Sequence, residues 1–154
     1  MSTAWHRVDA GRWGGETSAK AIPMFLLDTN TLIYFFKGQG KVVERLFATP
    51  PAEVAISSVS LYEIEVGIAK SAQPAKRRKQ FDGFLTAVSV LPLDRAAGRA
   101  AAAVRADLET RGLPIAPLDN LIAGIALANR ATLVTRNTRE FSRLRNLSIV
   151  DWYD

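Results

Sequence analysis

The sequence has no cysteine and a single histidine, His6. Without thiols the chain can form neither disulfides nor thiolate metal sites. A lone histidine also argues against a histidine-based zinc site or a Ser-His-Asp triad. Long hydrophobic runs are missing too, because Asp28 interrupts the best candidate. We therefore expect no membrane-spanning segment and, since the N-terminus has no apolar signal core, a cytoplasmic location.

The composition is that of one basic globular domain. A length of 154 residues suits a single core, and 48% hydrophobic residues are too many for a disordered chain. The net charge of +5 and the pI of about 9.9 favour polyanionic partners. Residues 1–23 show neither a helical nor a strand period. We therefore expect a poorly ordered leader followed by a domain spanning residues 24–154.

Strand-like and helical patterns alternate along this domain. The predicted strands are a short apolar run ending at Asp28 and the ranges 53–57, 88–93, 131–135 and 147–152. The predicted helices cover 30–37, 41–48, about 58–70, a segment opening at the basic cluster 76–79, and 95–110, 118–129 and 138–144. Such alternation is typical of an α/β fold, in which a parallel sheet carries helices on both faces.

Acidic residues occur at positions where this fold could bring them together. Asp28 follows the first strand, at the sheet edge where open α/β folds bind ligands, although capping a helix is an equally common role. Asp119 begins an apolar helix, where the helix dipole favours a carboxylate. Asn137 follows the 131–135 strand and offers an amide without charge.

Two acids compete on the helix after the second strand. Ser60 and Glu63 fit a capping box, which would explain Glu63 as a structural residue. Helical periodicity instead places Glu65 nearer the centre of the apolar arc and favours Glu65 as the buried acid. Residue pattern alone therefore favours Glu65.

Asp28, Glu63 and Asp119 would meet at one edge of the predicted sheet. Clustered carboxylates repel one another and are stable mainly when a hard cation joins them. Mg²⁺ prefers oxygen ligands and is usually held by a few carboxylates plus substrate phosphate. A metal in such a site can support in-line phosphoryl displacement, so no nucleophilic side chain is needed.

Four segments resemble a known family in order and spacing: FLLDTNTLIYF, ISSVSLYEIEVG, PIAPLDNLIAGIAL and TLVTRNTREFSRL, followed by VDW. The chain resembles the PIN-domain ribonucleases, specifically the VapC toxins of type II toxin–antitoxin pairs, over essentially residues 24–152. The resemblance implies a PIN-like fold and an endoribonuclease that depends on Mg²⁺ or Mn²⁺.

The resemblance also implies roles for individual residues. It assigns the catalytic and metal-binding acids to Asp28, Glu63 and Asp119, and so favours Glu63 over Glu65. Asn30 and Thr135 match polar positions that support the acidic site. Many relatives carry a fourth acid where this chain has Asn137, which leaves three carboxylates and places a firmly bound second metal in question.

Partners follow from the same resemblance. VapC-like proteins usually form homodimers, and a VapB-like antitoxin typically inserts an Arg or Lys into the acidic site. Arg136, Arg139 and Arg143 flank the site in sequence. Some of them could contact RNA phosphates, or all of them could belong to a solvated basic helix.

Other functions fit the residues less well. A haloacid-dehalogenase phosphatase requires D-x-D, but Asn30 occupies the second position. A receiver-like phosphoacceptor module requires an acidic pair near the first strand, which is absent. A catalytically silent PIN-like module that binds RNA or a partner remains the main alternative, although it would gain nothing from a costly acidic cluster.

Overall fold

The computed structural model describes residues 23–154. The predicted leader, residues 1–23, therefore lies outside the described residues except for its last position. The described residues form five strands, β1 (Phe25–Leu27), β2 (Val54–Ser57), β3 (Ser89–Leu91), β4 (Thr132–Val134) and β5 (Ile149–Val150). These strands form one parallel sheet with the order β3-β2-β1-β4-β5. The predicted parallel α/β fold is confirmed.

The helices follow the predicted order, with ends that shift by a few residues. They are α1 (Thr29–Lys37), α2 (Val42–Phe47), α3 (Ser58–Ala69), α4 (Pro74–Leu85), α5 (Arg95–Thr110), α6 (Pro117–Ala128) and α7 (Thr138–Phe141), and a 3-10 turn covers Pro51–Glu53. None of the helices between residues 23 and 154 is long and apolar enough to cross a membrane.

The predicted strands at 88–93 and 147–152 are shorter in the structure. Among the strands of residues 23–154, Ser89–Leu91 pairs only with β2, and Ile149–Val150 pairs only with β4. Both strands lie at the edges of the sheet. Val88, Leu147 and Trp152 lie outside the paired positions and pack on the hydrophobic clusters. The apolar pattern therefore predicted strands that are longer than the hydrogen-bonded ones.

The sheet separates two hydrophobic cores. Leu26 and Leu27 are both fully buried, yet they point to opposite faces because side chains alternate along a strand. Leu27 packs in a cluster with Phe35 and Phe84, from α1 and α4. Leu26 packs in the second cluster with residues of α5 and α6 such as Ile122. Burial on both faces explains why β1 reads as a continuous apolar run.

Helix caps correct one sequence prediction. The N-cap of α3 is Ser57, whose side chain accepts from the Ser60 N–H at 2.9 Å. The Ser60–Glu63 capping box predicted from the sequence is therefore wrong. The helix begins directly after β2, which places Glu63 in its second turn and beyond the reach of the cap. Asp94 caps α5 by accepting from the Ala97 N–H at 2.9 Å.

Candidate active site

The carboxyl ends of β1, β2 and β4 lie side by side because these three strands are parallel neighbours. The backbone N–H of Asp28, just after β1, donates to the Val134 carbonyl at 3.0 Å. Thr135 follows directly after β4. The helix α3 leaves β2 at the same edge. The topology thus gathers residues that are distant in sequence at one edge of the sheet.

Asp28 is a buried carboxylate, with 5% of its surface exposed. Its Oδ1 atom accepts from the Thr31 N–H at 2.8 Å, so Asp28 also caps α1. Burial raises the pKa of the Asp28 carboxyl above its ordinary value, and the nearby charge of Glu63 adds to the increase. Hydrogen bonds from Thr135 and Thr31 act in the opposite direction. Asp28 can therefore both cap α1 and belong to the acidic site.

The structure places Glu63, and not Glu65, at this edge. Thr29, next to Asp28, donates its hydroxyl to Glu63 Oε1 at 2.7 Å, and that hydroxyl lies 2.9 Å from the hydroxyl of Ser60. Glu65 instead pairs with Arg78 on α4 and is partly exposed. The periodicity argument was wrong because apolar residues occur on most sides of α3, so the centre of the arc does not face the site.

This difference predicts unequal effects for two matched substitutions. Glu63→Gln should reduce the RNA cleavage that the family resemblance implies by on the order of 10²-fold or more, because it removes a carboxylate charge at the site. Glu65→Gln removes only a partly exposed ion pair and should change cleavage less than about twofold. Initial rates of the two purified variants under identical conditions provide the comparison. The reverse ranking would restore the periodicity argument.

Asp119 lies in the first turn of α6, about half buried. Burial, followed by the charges of Asp28, Glu63 and Glu140, raises the pKa of Asp119 to about 6. Asp119 therefore experiences the negative charge of three other acids. Asp119 does not cap α6, since the N-cap is Ala116 and makes no side-chain cap bond.

Glu140 is the site acid that sequence reasoning missed. It lies on α7, and its Oε2 accepts from Asn137 Nδ2 at 3.1 Å. The Asn137 N–H in turn donates to Thr135 Oγ1 at 3.0 Å. The available signal was the three-residue spacing from Asn137, which places both side chains on one helical face. Glu140 is therefore a fourth carboxylate whose charge acts on Asp119, beside the three that the resemblance assigns to the site.

The site carboxylates have no basic partner in the described chain. The ion pairs found within residues 23–154 join Arg78 to Glu65, Arg105 to Glu109, and Arg111 to Asp107. Over the same range, no three acidic or histidine side chains converge tightly enough to hold a metal by themselves. An oxygen-only cluster of this kind fits Mg²⁺, which keeps several waters and shares its coordination with substrate phosphate.

The other predicted site residues lie in different surroundings. Asn30 is exposed and lines an open cleft of about 280 Å³ with Asp28, Tyr34, Arg136 and Asn137. Arg139 is exposed on α7. Arg143 donates to the Pro114 carbonyl at 3.2 Å and so ties a loop outside the acidic cluster.

A larger groove of about 390 Å³ lies between α1, α3 and α4. Its apolar lining includes Ile33, Phe36 and Phe81, and Glu63 borders it. The groove therefore adjoins the acidic cluster through Glu63. The basic cluster 76–79, at the start of α4, is exposed, although its Arg78 pairs with Glu65 and its Arg77 borders the groove.

Comparisons with known proteins indicate the same family as the resemblance found in the sequence. A family model described as PIN domain matches residues 25–147. The tRNA(fMet)-specific endonuclease VapC of Shigella flexneri is 38% identical over 128 residues, which cover 83% of this chain and 97% of that protein. The protein of the same name from Salmonella typhimurium is 35% identical over the same shares of both chains.

Solved structures give the same result. A chain in the structure of DNA-bound VapBC from Salmonella typhimurium superposes with a TM-score of 0.80 and 34% identity, covering 85% of this chain and 99% of that one. A chain of VapBC2 from Rickettsia felis, bound to a promoter DNA fragment, superposes with a TM-score of 0.77 and 30% identity. That match covers 84% of this chain and 98% of the other.

Proposed function

This chain belongs to the PIN-domain family, among the VapC ribonucleases, and on that premise we propose that it cuts RNA with Mg²⁺ or Mn²⁺ held by Asp28, Glu63 and Asp119 together with the substrate phosphate. Membership makes it an RNA-cleaving hydrolase. The metal and the role of each acid are the proposed parts. A catalytically silent binding module is not favoured, because the chain keeps a costly acidic cluster at the family's site.

The observation that carries the proposal is the presence of Asp28 and Glu63 at one edge of the sheet: Asp28 is buried there, and the neighbouring Thr29 donates to Glu63 Oε1 at 2.7 Å. Asp119 belongs to the same group, because burial and the charges of Asp28, Glu63 and Glu140 raise its pKa to about 6. Such a cluster destabilises the metal-free protein near neutral pH. A divalent cation offsets the repulsion among these carboxylates, which explains the acidic cluster as a cation-binding site.

The surrounding residues hold each acid in place. Thr31 and Thr135 bond the Asp28 carboxylate, and Thr29 orients Glu63. Asn137 donates to Glu140, whose charge acts on Asp119. When bound, the metal supplies a Lewis acid that polarises the phosphodiester and lowers the pKa of a water.

We propose tRNA(fMet) as the substrate. Two relatives that are 38% and 35% identical are named for that specificity, and each is matched over 97% of its length. Other relatives, from Rickettsia felis and Haemophilus influenzae, are named only as ribonucleases. The substrate is therefore the part of the proposal that most needs a direct test.

We propose a VapB-like antitoxin as the inhibitory partner, and a homodimer as the free form. VapBC assemblies are the subject of the similar solved structures. The groove between α1, α3 and α4 suits an apolar antitoxin segment, because Ile33, Phe36 and Phe81 line it. An Arg or Lys at the end of such a segment would reach Glu63 and neutralise part of the acidic cluster.

One cleavage experiment tests the metal, the site and the substrate together. Antitoxin-free protein is incubated with tRNA(fMet), elongator methionine tRNA and a structured rRNA fragment, in Mg²⁺, in Mn²⁺ and in EDTA. Asp28→Ala is run alongside as the variant that lacks the buried acid. We expect discrete cuts in tRNA(fMet) that require metal and are absent with Asp28→Ala.

Each outcome has a defined meaning. Equal cutting of both methionine tRNAs would contradict tRNA(fMet) specificity but keep the metal-dependent nuclease. Cutting in EDTA would contradict the proposed metal dependence. If no RNA is cut under any condition, calorimetric titration with Mn²⁺ decides whether the acidic cluster binds metal, and the absence of binding would contradict the proposed site.

A further inference from the structure

Arg136 lies on a platform made by two tyrosines. Its guanidinium carbon is 3.6 Å from the centre of the Tyr153 ring and 5.8 Å from that of Tyr34. The interaction with the Tyr34 side chain also raises the pKa of the Arg136 guanidinium. A cation over an aromatic face is stabilised by the ring quadrupole, and arginine also stacks with its plane. Arg136 is exposed, but its charged group is held in a defined place.

The platform itself is fixed on several sides. The Tyr153 carbonyl accepts from the Lys41 N–H at 2.9 Å, and the Tyr153 N–H donates to Asp151 Oδ1 at 2.7 Å. The two tyrosine rings meet edge to face, with their centres 4.8 Å apart. Gly40, at φ +64°, packs so closely that a Cβ there would lie 2.7 Å from the Tyr153 ring. The chain end is thus tied to the turn after α1.

The position of Arg136 relates this platform to the acids. Arg136 and Tyr34 line the same open cleft as Asp28, Asn30 and Asn137. Within residues 23–154, Arg136 forms no ion pair with the site acids, and the acid that attracts it electrostatically is Asp154. A fixed positive charge and a buried carboxylate thus line the same cleft.

We propose that Arg136, held by Tyr34 and Tyr153, binds a phosphate of the RNA next to the phosphate that is cut. This rests on the proposed function, because it assumes RNA in the cleft. A planar guanidinium can bind phosphate oxygens through two hydrogen bonds, and preorganisation reduces the entropy lost on binding. This contact, the Arg136 clamp, holds the RNA strand in the cleft despite the negative charge of the acidic cluster. Because it contacts the RNA backbone, it does not distinguish one base from another.

The other two arginines that flank the site are less suited to this role. Arg139 is exposed on α7, and no aromatic contact of its guanidinium is found in residues 23–154. Arg143 donates to the Pro114 carbonyl, and its own carbonyl accepts from Arg111. Of the three, Arg136 alone combines a cleft position with a fixed guanidinium in the described structure.

Equilibrium binding separates this proposal from a structural role. Fluorescently labelled tRNA(fMet) is titrated with the full-length Asp119→Asn protein in Mg²⁺, so that binding is measured without cleavage. Adding Arg136→Met should weaken binding about tenfold and reduce the salt dependence of log K by about 0.7, as expected for one lost phosphate contact. Arg99→Met, an exposed arginine on α5, is the matched control and should change neither quantity.

Two further variants test the platform. Arg136→Lys keeps the charge but loses the planar fork, so the salt dependence should stay near that of the parent while affinity falls by a smaller factor. Tyr153→Phe keeps the ring and should bind as the parent does, whereas Tyr153→Leu should weaken binding. Melting temperatures of all variants are measured in parallel, because a purely structural role would lower the melting temperature and leave the salt dependence unchanged.

The outcomes distinguish this inference from the proposed function. If the Asp119→Asn parent does not bind tRNA(fMet), the proposed substrate fails and the clamp fails with it. If the parent binds and Arg136→Met binds with the same affinity and salt dependence, only the clamp is contradicted. A loss of affinity that accompanies an equally large change in Arg99→Met would also contradict it, since any surface charge would then have the same effect.

Discussion

Replacing Asp119 by Asn is expected to abolish RNA cleavage while making the metal-free protein more stable near neutral pH. Asparagine keeps the shape of the side chain but removes a charge from the acidic cluster. The loss in cleavage rate should be on the order of 10³-fold, the scale of one lost electrostatic contact to the transition state. Steady-state cleavage of tRNA(fMet) in Mg²⁺ measures it.

The gain in stability follows from the direction of the pKa shift. The folded-state pKa of Asp119 is about 6, and the ordinary value is 3.8. Between these values the folded protein binds more protons than the unfolded chain, so the free energy of unfolding falls as pH rises through this window. Above pH 6 the penalty is fully present, although the half-exposed position of Asp119 reduces it through solvent screening.

Melting temperatures in EDTA provide the second measurement. The melting temperature of the wild-type protein should be lower at about pH 7.5 than at about pH 5, and Asp119→Asn should reduce this difference. Buried Asp28, whose pKa is also raised, contributes in the same direction and should leave part of the difference in the variant. Mg²⁺ should raise the melting temperature of the wild type more than that of the variant.

Asp82→Asn, an exposed acid on α4, is the control, and it should change neither cleavage nor the pH dependence. Wild-type cleavage by Asp119→Asn would remove Asp119 from the site. A variant that loses activity but melts well below the wild type at every pH would show instead that Asp119 supports the fold.

The part of the site that sequence reasoning predicted depends on local features. Asp28 follows an apolar run and precedes a helix, and this pattern places it at the carboxyl edge of a parallel strand wherever the rest of the chain lies. Asp119 is placed in the same way at the start of α6. Residue pattern positioned both acids but left capping as an equal alternative for Asp28, and the family resemblance assigned their roles at the site.

The choice between Glu63 and Glu65 depended on which side of α3 faces Thr29. Helical periodicity describes a single helix, and α3 packs against neighbours on several sides, so its most apolar arc does not indicate the site. The family resemblance contributed the missing tertiary information. Whether Glu63 acts in catalysis remains for the matched substitutions to test.

Glu140 and Arg136 depend on contacts that no local pattern contains. Glu140 reaches the acids because Asn137, after β4, bonds it across the first turn of α7. Arg136 acquires its position from Tyr153, whose place depends on the turn at Gly40 and on the edge strand β5. The sequence offered no reason to prefer one of the three arginines Arg136, Arg139 and Arg143. The fold distinguishes Arg136 by its contacts with Tyr34 and Tyr153.

Replacing Gly124 by Ala should destabilise the fold by about 1–3 kcal/mol, although alanine normally stabilises a helix interior. Gly124 lies buried on α6 against α5, and a Cβ there would lie 2.5 Å from the Ala101 Cβ and 2.7 Å from both the Ala101 nitrogen and the Ala97 carbonyl oxygen. Because two of these neighbours are backbone atoms, the helices must separate to relieve the overlap.

The same substitution at Gly83 provides the matched control, because a Cβ on this glycine of α4 meets nothing within 4 Å. Gly83→Ala should stabilise by about 0.5–1 kcal/mol, and denaturant unfolding of both variants measures the difference. The displacement also bears on function, since α6 carries Asp119 and Asn120 bonds the Ala101 carbonyl at 2.7 Å. Gly124→Ala should therefore lose more cleavage activity than the fraction of unfolded protein accounts for. If Gly124→Ala instead stabilises the fold as much as Gly83→Ala does, the helices α5 and α6 can separate without an energetic cost, and the prediction is contradicted.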